Sequence, residues 1–171
     1  KSLQPYTLRC GYVPGLIGRI VDMHSRYYSE TAGFGAPFET RVATGLCEFT
    51  GRLGNPRTQI WFVERNGGIH GSIAIDGEDL GKNTAHLRWF IVDETLRGSG
   101  AGKRLLAEAL EFCDAHNFAT TDLWTFKGLA AARAMYEANG FQLVDEYEGH
   151  QWGSAVTEQK FRRLNPKNRT D

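Results

Sequence analysis

Hydrophobic positions along the chain change their period several times, and each change marks an element. Residues 6–10 make a short apolar-polar run that reads as a first strand. Pro14 then predicts a helix start, because a missing N–H costs nothing in a first turn. Leu16, Ile17, Ile20, Val21, His24, Tyr27 and Tyr28 share one face of that helix, with Arg19, Asp22, Ser25, Arg26 and Ser29 on the other. Gly33 and Gly35 break it, and Phe38, Val42, Leu46 and Phe49 mark a second helix. The period then shortens to two. Residues 59–64 predict a strand, Asn66-Gly67-Gly68 a hairpin turn, and Ile69, Ile73 and Ile75 the alternation of the next strand. Beyond a loop at 77–82, residues 85–92 predict a fourth strand, continuously apolar from Trp89 to Val92 as in a strand covered on both faces. Leu105, Leu106, Ala109, Leu110 and Cys113 form the stripe of a third helix that Asn117 stops. Residues 120–126 read as a strand, 130–138 as a helix ending at Asn139-Gly140, and 141–148 and 156–164 as two closing strands joined by a loop at 149–153. The order β-α-α-β-β-β-α-β-α-β-β predicts one mixed α/β layered domain, with no linker or repeat to divide it.

Candidate chemistry lies where the fourth strand empties into the third helix, at Arg97-Gly98-Ser99-Gly100-Ala101-Gly102-Lys103. The first N–H groups of a helix have no intrahelical partner and sit at the positive end of its dipole. Glycine lets such a backbone approach a phosphate closely, and Arg97 and Lys103 add charged donors. Lysine in a first turn opposes the dipole, which points to a compensating anion. A Walker A loop fails here, because Arg97 stands where its first glycine should be and Arg104 where its hydroxyl should be. A dinucleotide fingerprint fails at Lys103, which replaces its third glycine. The pattern that fits is R-x-x-G-x-G, read as Arg97, Gly100 and Gly102.

A second element follows in order. "LRWFIVDETLRGSGAGKRLLAEALEFCDAHNF" and then "AARAMYEANGF", with Ala132, Tyr136, Glu137, Gly140 and Phe141, resemble the GCN5-related N-acetyltransferase superfamily over roughly residues 6–164. The resemblance implies a mixed, mostly antiparallel sheet of about seven strands flanked by about four helices. It implies acetyl-CoA as co-substrate, attacked directly by a primary amine of a small molecule or peptide. Arg97 and the amides of Gly98, Ser99, Gly100, Ala101, Gly102 and Lys103 would hold the pyrophosphate. The fourth and fifth strands would splay after a bulge, and main-chain groups of Phe90, Ile91 and Val92 would pair with the pantetheine arm. A nearby amide would stabilise the oxyanion by about 3–4 kcal/mol. Tyr136 matches the tyrosine that protonates the departing thiolate in many relatives, and Arg133 would reach the nucleotide phosphate or stay exposed. Leu129 departs from the pattern, since many members carry asparagine there. Candidates for the general base are His86, Asp122, Glu30 or a water chain. Tyr27, Tyr28, Phe34 and Trp124, with the run "HSRYYSETAGFG", are the expected acceptor wall.

Composition narrows the partners. The 171 residues carry 20 basic and 20 acidic side chains, so no net charge favours nucleic acid or an anionic membrane. No apolar run is long enough to span a bilayer and no signal segment opens the chain. Cys10, Cys47 and Cys113 are odd in number and widely spaced, as in a reduced, cytoplasmic protein. They and His70, His116 and His150 lack metal-ligand spacing, so no metal is expected. The start at Lys1 suggests trimming or a fragment, and residues 168–170 match a glycosylation sequon that means little without a signal segment. The competing reading is a non-catalytic module that senses coenzyme A or another ligand. "LRCGYVPGLIGRIVDMHSRYY" and "WGSAVTEQKFRRL" look similar to superfamily members fused to winged-helix repressors, although this domain alone offers no recognition helix for nucleic acid. A homodimer stays open.

Overall fold

A computed structural model of the chain describes residues 6–168; Lys1 and part of the 168–170 sequon lie outside the described residues. The elements are β1 (Thr7–Cys10), α1 (Leu16–Ala32), α2 (Ala36–Thr50), β2 (Gln59–Arg65), β3 (Gly68–Asp76), β4 (Thr84–Val92), a 3-10 turn (Glu94–Leu96), α3 (Ala101–Ala115), β5 (Thr120–Phe126), α4 (Ala130–Ala138), β6 (Phe141–Gly149), β7 (Val156–Leu164) and a closing 3-10 turn (Pro166–Asn168). They build the mixed α/β fold that the resemblance implies. One seven-stranded sheet runs in the order β1-β2-β3-β4-β5-β7-β6, antiparallel throughout except for β4 beside β5.

The sheet has two apolar faces. Leu105, Leu106 and Leu110 of α3 pack on Ile73, Ile75, Leu87 and Phe161 on one side. Leu16 and Ile20 of α1, with Phe38, Leu46 and Phe49 of α2, cover Ile60, Phe62 and Ala74 on the other. No helix among the described residues is long and apolar enough to cross a membrane.

Two local expectations change. Pro14 does not open α1. It occupies the second position of a turn closed by the Leu16 amide on the Val13 carbonyl at 3.1 Å, and Gly15, with φ 89°, takes the left-handed third position. Ile69 does not share a face with Ile73 and Ile75. Glu64 pairs with Ile69 and Val63 with Gly71, so His70 is an extra residue on β3. That bulge inverts the alternation, and Ile69 packs toward α1 and α2 while Ile73 and Ile75 pack toward α3.

Candidate active site

β4 carries a second bulge, and the site is built around it. Arg88 pairs with Ala74 and Ile91 with Ser72, so Trp89 and Phe90 together oppose Ile73. Trp89 sits at φ 47°, a left-handed conformation costing a bulky residue on the order of 1–3 kcal/mol. Its surroundings hold it there. The Ser72 hydroxyl donates to the Trp89 carbonyl at 2.8 Å, and Phe49 meets the indole edge-on at 5.2 Å. The extra residue turns Arg88 and Trp89 to the same side of the sheet, with the guanidinium 4.1 Å above the indole.

β5 pairs with β4 only from Thr84 to His86, against Thr120 to Asp122. Above that vertex the two strands part. The Asp93 amide donates to the His70 carbonyl at 2.9 Å and Ile91 stands opposite Ser72, so alternation commits the Ile91 main chain to β3. Phe90 and Val92 turn theirs into the gap.

The gap is a cleft of about 1040 Å³. It gathers Phe90, Ile91, Val92, Arg97, Gly98, Ser99, Gly100, Ala101, Gly102, Lys103 and Tyr136, with Leu129, Ala132 and Met135 along its opposite rim. Gly98 and Gly100 take left-handed φ of 79° and 88°, which carry the chain around the turn into α3. Two amides of the turn already have partners: Ser99 donates to the Leu96 carbonyl at 3.2 Å, and Ala101 to the Ser99 hydroxyl at 3.2 Å. The remaining first-turn donors are those of Gly100, Gly102 and Lys103, with Gly98 just before them. Arg97 lies 4.9 Å over the Tyr27 ring, and its Nε reaches the Val92 carbonyl at 3.4 Å. Arg133 is outside this lining; it pairs with Glu137 at 2.5 Å and lies over Phe161.

A second cavity of about 600 Å³ opens between α2, the loop before β4 and the β6–β7 connection. Tyr28, Phe90, Thr125, Phe126 and Tyr136 line both spaces and form the wall between them. Tyr136 is buried, with Phe141 at 5.7 Å and Phe90 at 6.2 Å, and burial raises its pKa well above the ordinary phenol value. Burial also pushes Tyr28 up to about 12. Both phenols are therefore protonated at neutral pH.

Of the three candidate bases only His86 reaches this second cavity. Its Nδ1 lies 2.7 Å from the Asp79 carboxylate, which leaves Nε2 available, and Trp124 stacks edge-on at 5.0 Å. Burial alone would raise Asp79, but its hydrogen bond to His86 and the charges of His86, Arg88 and Arg52 outweigh that and lower it. Asp122 is locked by both Arg162 nitrogens, at 2.8 and 2.9 Å, and Glu30 is exposed on α1 away from the cavity. Of the residues expected to wall an acceptor pocket, Tyr28 and Trp124 line the second cavity, Tyr27 lines the larger cleft, and Phe34 is core, stacked among Tyr28, Phe38 and Phe126. Sequence reasoning missed Arg41, Arg88, Asp79 and Glu158. Only the interruption of an apolar strand by Arg88 signalled any of them.

Comparison with known proteins bears on the family and the fold. The model of the family described as Acetyltransferase (GNAT) family matches residues 18–141. Over 120 residues, 66% of this chain, it is 28% identical to "Probable N-acetyltransferase family 8 member 5" of Mus musculus. The chain spans about half of that relative's length, 53%. An acetyltransferase structure from Streptococcus agalactiae superposes with TM-score 0.76 at 19% identity, over 95% of this chain and 99% of that one. Salmonella typhimurium yncA, solved with its cofactor acetyl-CoA, gives 0.75 at 13% identity over 97% of each chain. A ribosomal-protein-alanine N-acetyltransferase from Brucella melitensis gives 0.74 at 16%, over 92% of this chain and 99% of that one.

Proposed function

The chain belongs to the acetyltransferase (GNAT) family, and from that premise we propose that it transfers the acetyl group of acetyl-CoA to a primary amine of a small molecule or peptide. The carrying observation is the five-residue wall shared by the two cavities, which puts Tyr136 where a ligand in one would meet a ligand in the other. The larger cleft fits acetyl-CoA on three counts. Its turn presents unpartnered amides and Arg97 to a pyrophosphate, and Phe90 and Val92 offer main-chain groups to an amide-bearing arm. Its apolar rim of Ala132 and Met135 suits the arm's aliphatic stretches. The same fold holds acetyl-CoA in yncA.

Acetyl-CoA supplies an activated carbonyl with a thiolate as leaving group. His86, its Nδ1 proton fixed by Asp79, takes the proton of the incoming ammonium at Nε2, directly or through water. The freed amine forms the C–N bond as the C–S bond breaks. Tyr136 donates its phenolic proton to the sulfur and regains one from the acceptor side. Burial of the phenol holds that proton until a thiolate appears beside it.

Calorimetric titration with acetyl-CoA and a substitution at Gly100 test the reading. Gly100→Glu forces a side chain into a left-handed position and adds negative charge at the α3 N-terminus, so acetyl-CoA binding should be abolished. Undiminished affinity in that variant removes the assignment.

A further inference from the structure

The second cavity holds two guanidinium groups that its own carboxylates do not satisfy. Arg88 has a side chain only 25% exposed, and its carboxylate neighbour, Asp79, lies at 3.7 Å, beyond hydrogen-bond distance. Asp79 is already engaged with His86 at 2.7 Å, and Asp76 with Arg52. Burial, with the charges of Arg52 and Arg41, lowers the Arg88 pKa against the raising charges of Asp79 and Asp76. Arg41, on α2, is near enough to Arg88 for the two charges to repel. Among the described residues no carboxylate lies within 4.0 Å of Arg41; its contact is the Gln151 side-chain oxygen at 3.5 Å. Gly45 is what admits this arrangement, because a Cβ there would lie 3.0 Å from the Arg88 guanidinium.

A negative group stands beside the pair. Gln151 accepts from Arg41 at its side-chain oxygen and donates through its side-chain nitrogen to Glu158, a carboxylate 2% exposed on β7 opposite Phe126 of the shared wall. Gly149 makes room for that carboxylate, since a Cβ would overlap it. Cation and anion are thus separated by the width of one amide. An α-amino acid carries the complementary pair, carboxylate and amine, one carbon apart. Phe38, Trp89, Trp124 and Trp152 complete the lining with apolar surface.

We propose that Arg41 and Arg88 form an anion grip, so that the acceptor is a small amine also bearing a carboxylate, an amino acid with an apolar or aromatic side chain. A guanidinium fork matches a carboxylate in two parallel hydrogen bonds, which fixes the amine's approach as well as its affinity. A polycation meets two like charges at the same place. The proposal rests on the acetyl-transfer reading of this cavity.

Three pairs of probes test it: phenylalanine with phenethylamine, leucine with isoamylamine, and tryptophan with tryptamine. Each pair differs only in the carboxylate. Calorimetric titration of the protein loaded with coenzyme A should show at least one amino acid binding about tenfold or more tightly than its partner amine. Arg41→Gln, at an exposed position, should bring that ratio toward one, and Arg88→Gln should do the same. Equal binding within every pair, no binding by any amino acid, or a ratio unmoved in Arg41→Gln overturns the grip. Phenylalanyl-glycine bound more tightly than phenylalanine, with the same dependence on Arg41, overturns the free amino acid as the source of the carboxylate and assigns a peptide terminus. Acetyl transfer from acetyl-CoA is followed on the same probes. Amino-acid preference in binding without transfer to any amine overturns the acetyl-transfer reading and leaves the grip. Transfer at equal kcat/KM within each pair overturns the grip and leaves transfer.

Discussion

Tyr136 and His24 are both buried beside the site, and burial acts on them in opposite chemical senses. For Tyr136 it favours the neutral acid. Tyr136→Phe keeps the ring contacts with Phe90 and Phe141 and removes only the hydroxyl, so kcat should fall about 10²–10⁴-fold while acetyl-CoA affinity holds. Steady-state kinetics beside calorimetry check the split. His24 donates through Nδ1 to the Ile20 carbonyl at 2.8 Å, and burial lowers its pKa from 6.5 to about 4. Between those values the unfolded chain binds the proton and the folded chain does not. Stability is therefore complete above pH 6.5 and is lost as the pH falls toward 4, by about 3 kcal/mol. Urea unfolding at pH 7 and at pH 4.5 should show the loss, and His24→Phe should flatten it. That Arg97 and Tyr136 line one cleft was legible in the sequence because a motif fixes their neighbours. Arg41 and Glu158 were not: an arginine on a helix and a glutamate on a strand read as solvated surface until the fold brings Gln151 between them.

Element order follows directly from hydrophobic period, and all the expected strands and helices form. The two bulges are what period cannot show, because an inserted residue leaves composition intact and only inverts the faces. The β3 bulge misled the placement of Ile69. The β4 bulge makes the site, since it parts β4 from β5 and aims Arg88 and Trp89 the same way. Ser72→Ala leaves the Trp89 carbonyl without its donor, which should cost about 1–3 kcal/mol and lower the melting temperature. Gly45→Val tests the other support. Its side chain would displace the Arg88 guanidinium and the Trp89 ring, which lie 3.0 and 3.1 Å from a Cβ there. The acceptor KM should rise about tenfold or more, while acetyl-CoA affinity is unchanged because the larger cleft is untouched.

At the scale of the molecule, the two cavities have unequal origins. The larger cleft draws mostly on residues 90–136, one stretch of strand, turn and helix, which is why it could be read from the sequence. The smaller one is assembled from α1, α2, the loop before β4, the strands β4 and β5, and the β6–β7 connection, and no single segment announces it. Separate rims allow both substrates to be held together, so initial-rate plots should intersect; parallel lines would indicate a covalent acetyl-protein instead. The wall of Tyr28, Phe90, Thr125, Phe126 and Tyr136 should also couple the two ligands energetically, because each occupant would alter the surface the other meets. Linkage makes that coupling reciprocal: whatever factor acetyl-CoA adds to acceptor affinity, the acceptor returns to acetyl-CoA. On the proposed reading the acetyl group would reach the wall and coenzyme A, lacking it, should couple less, so a bound acceptor would discriminate the charged carrier from the spent one before any bond is made.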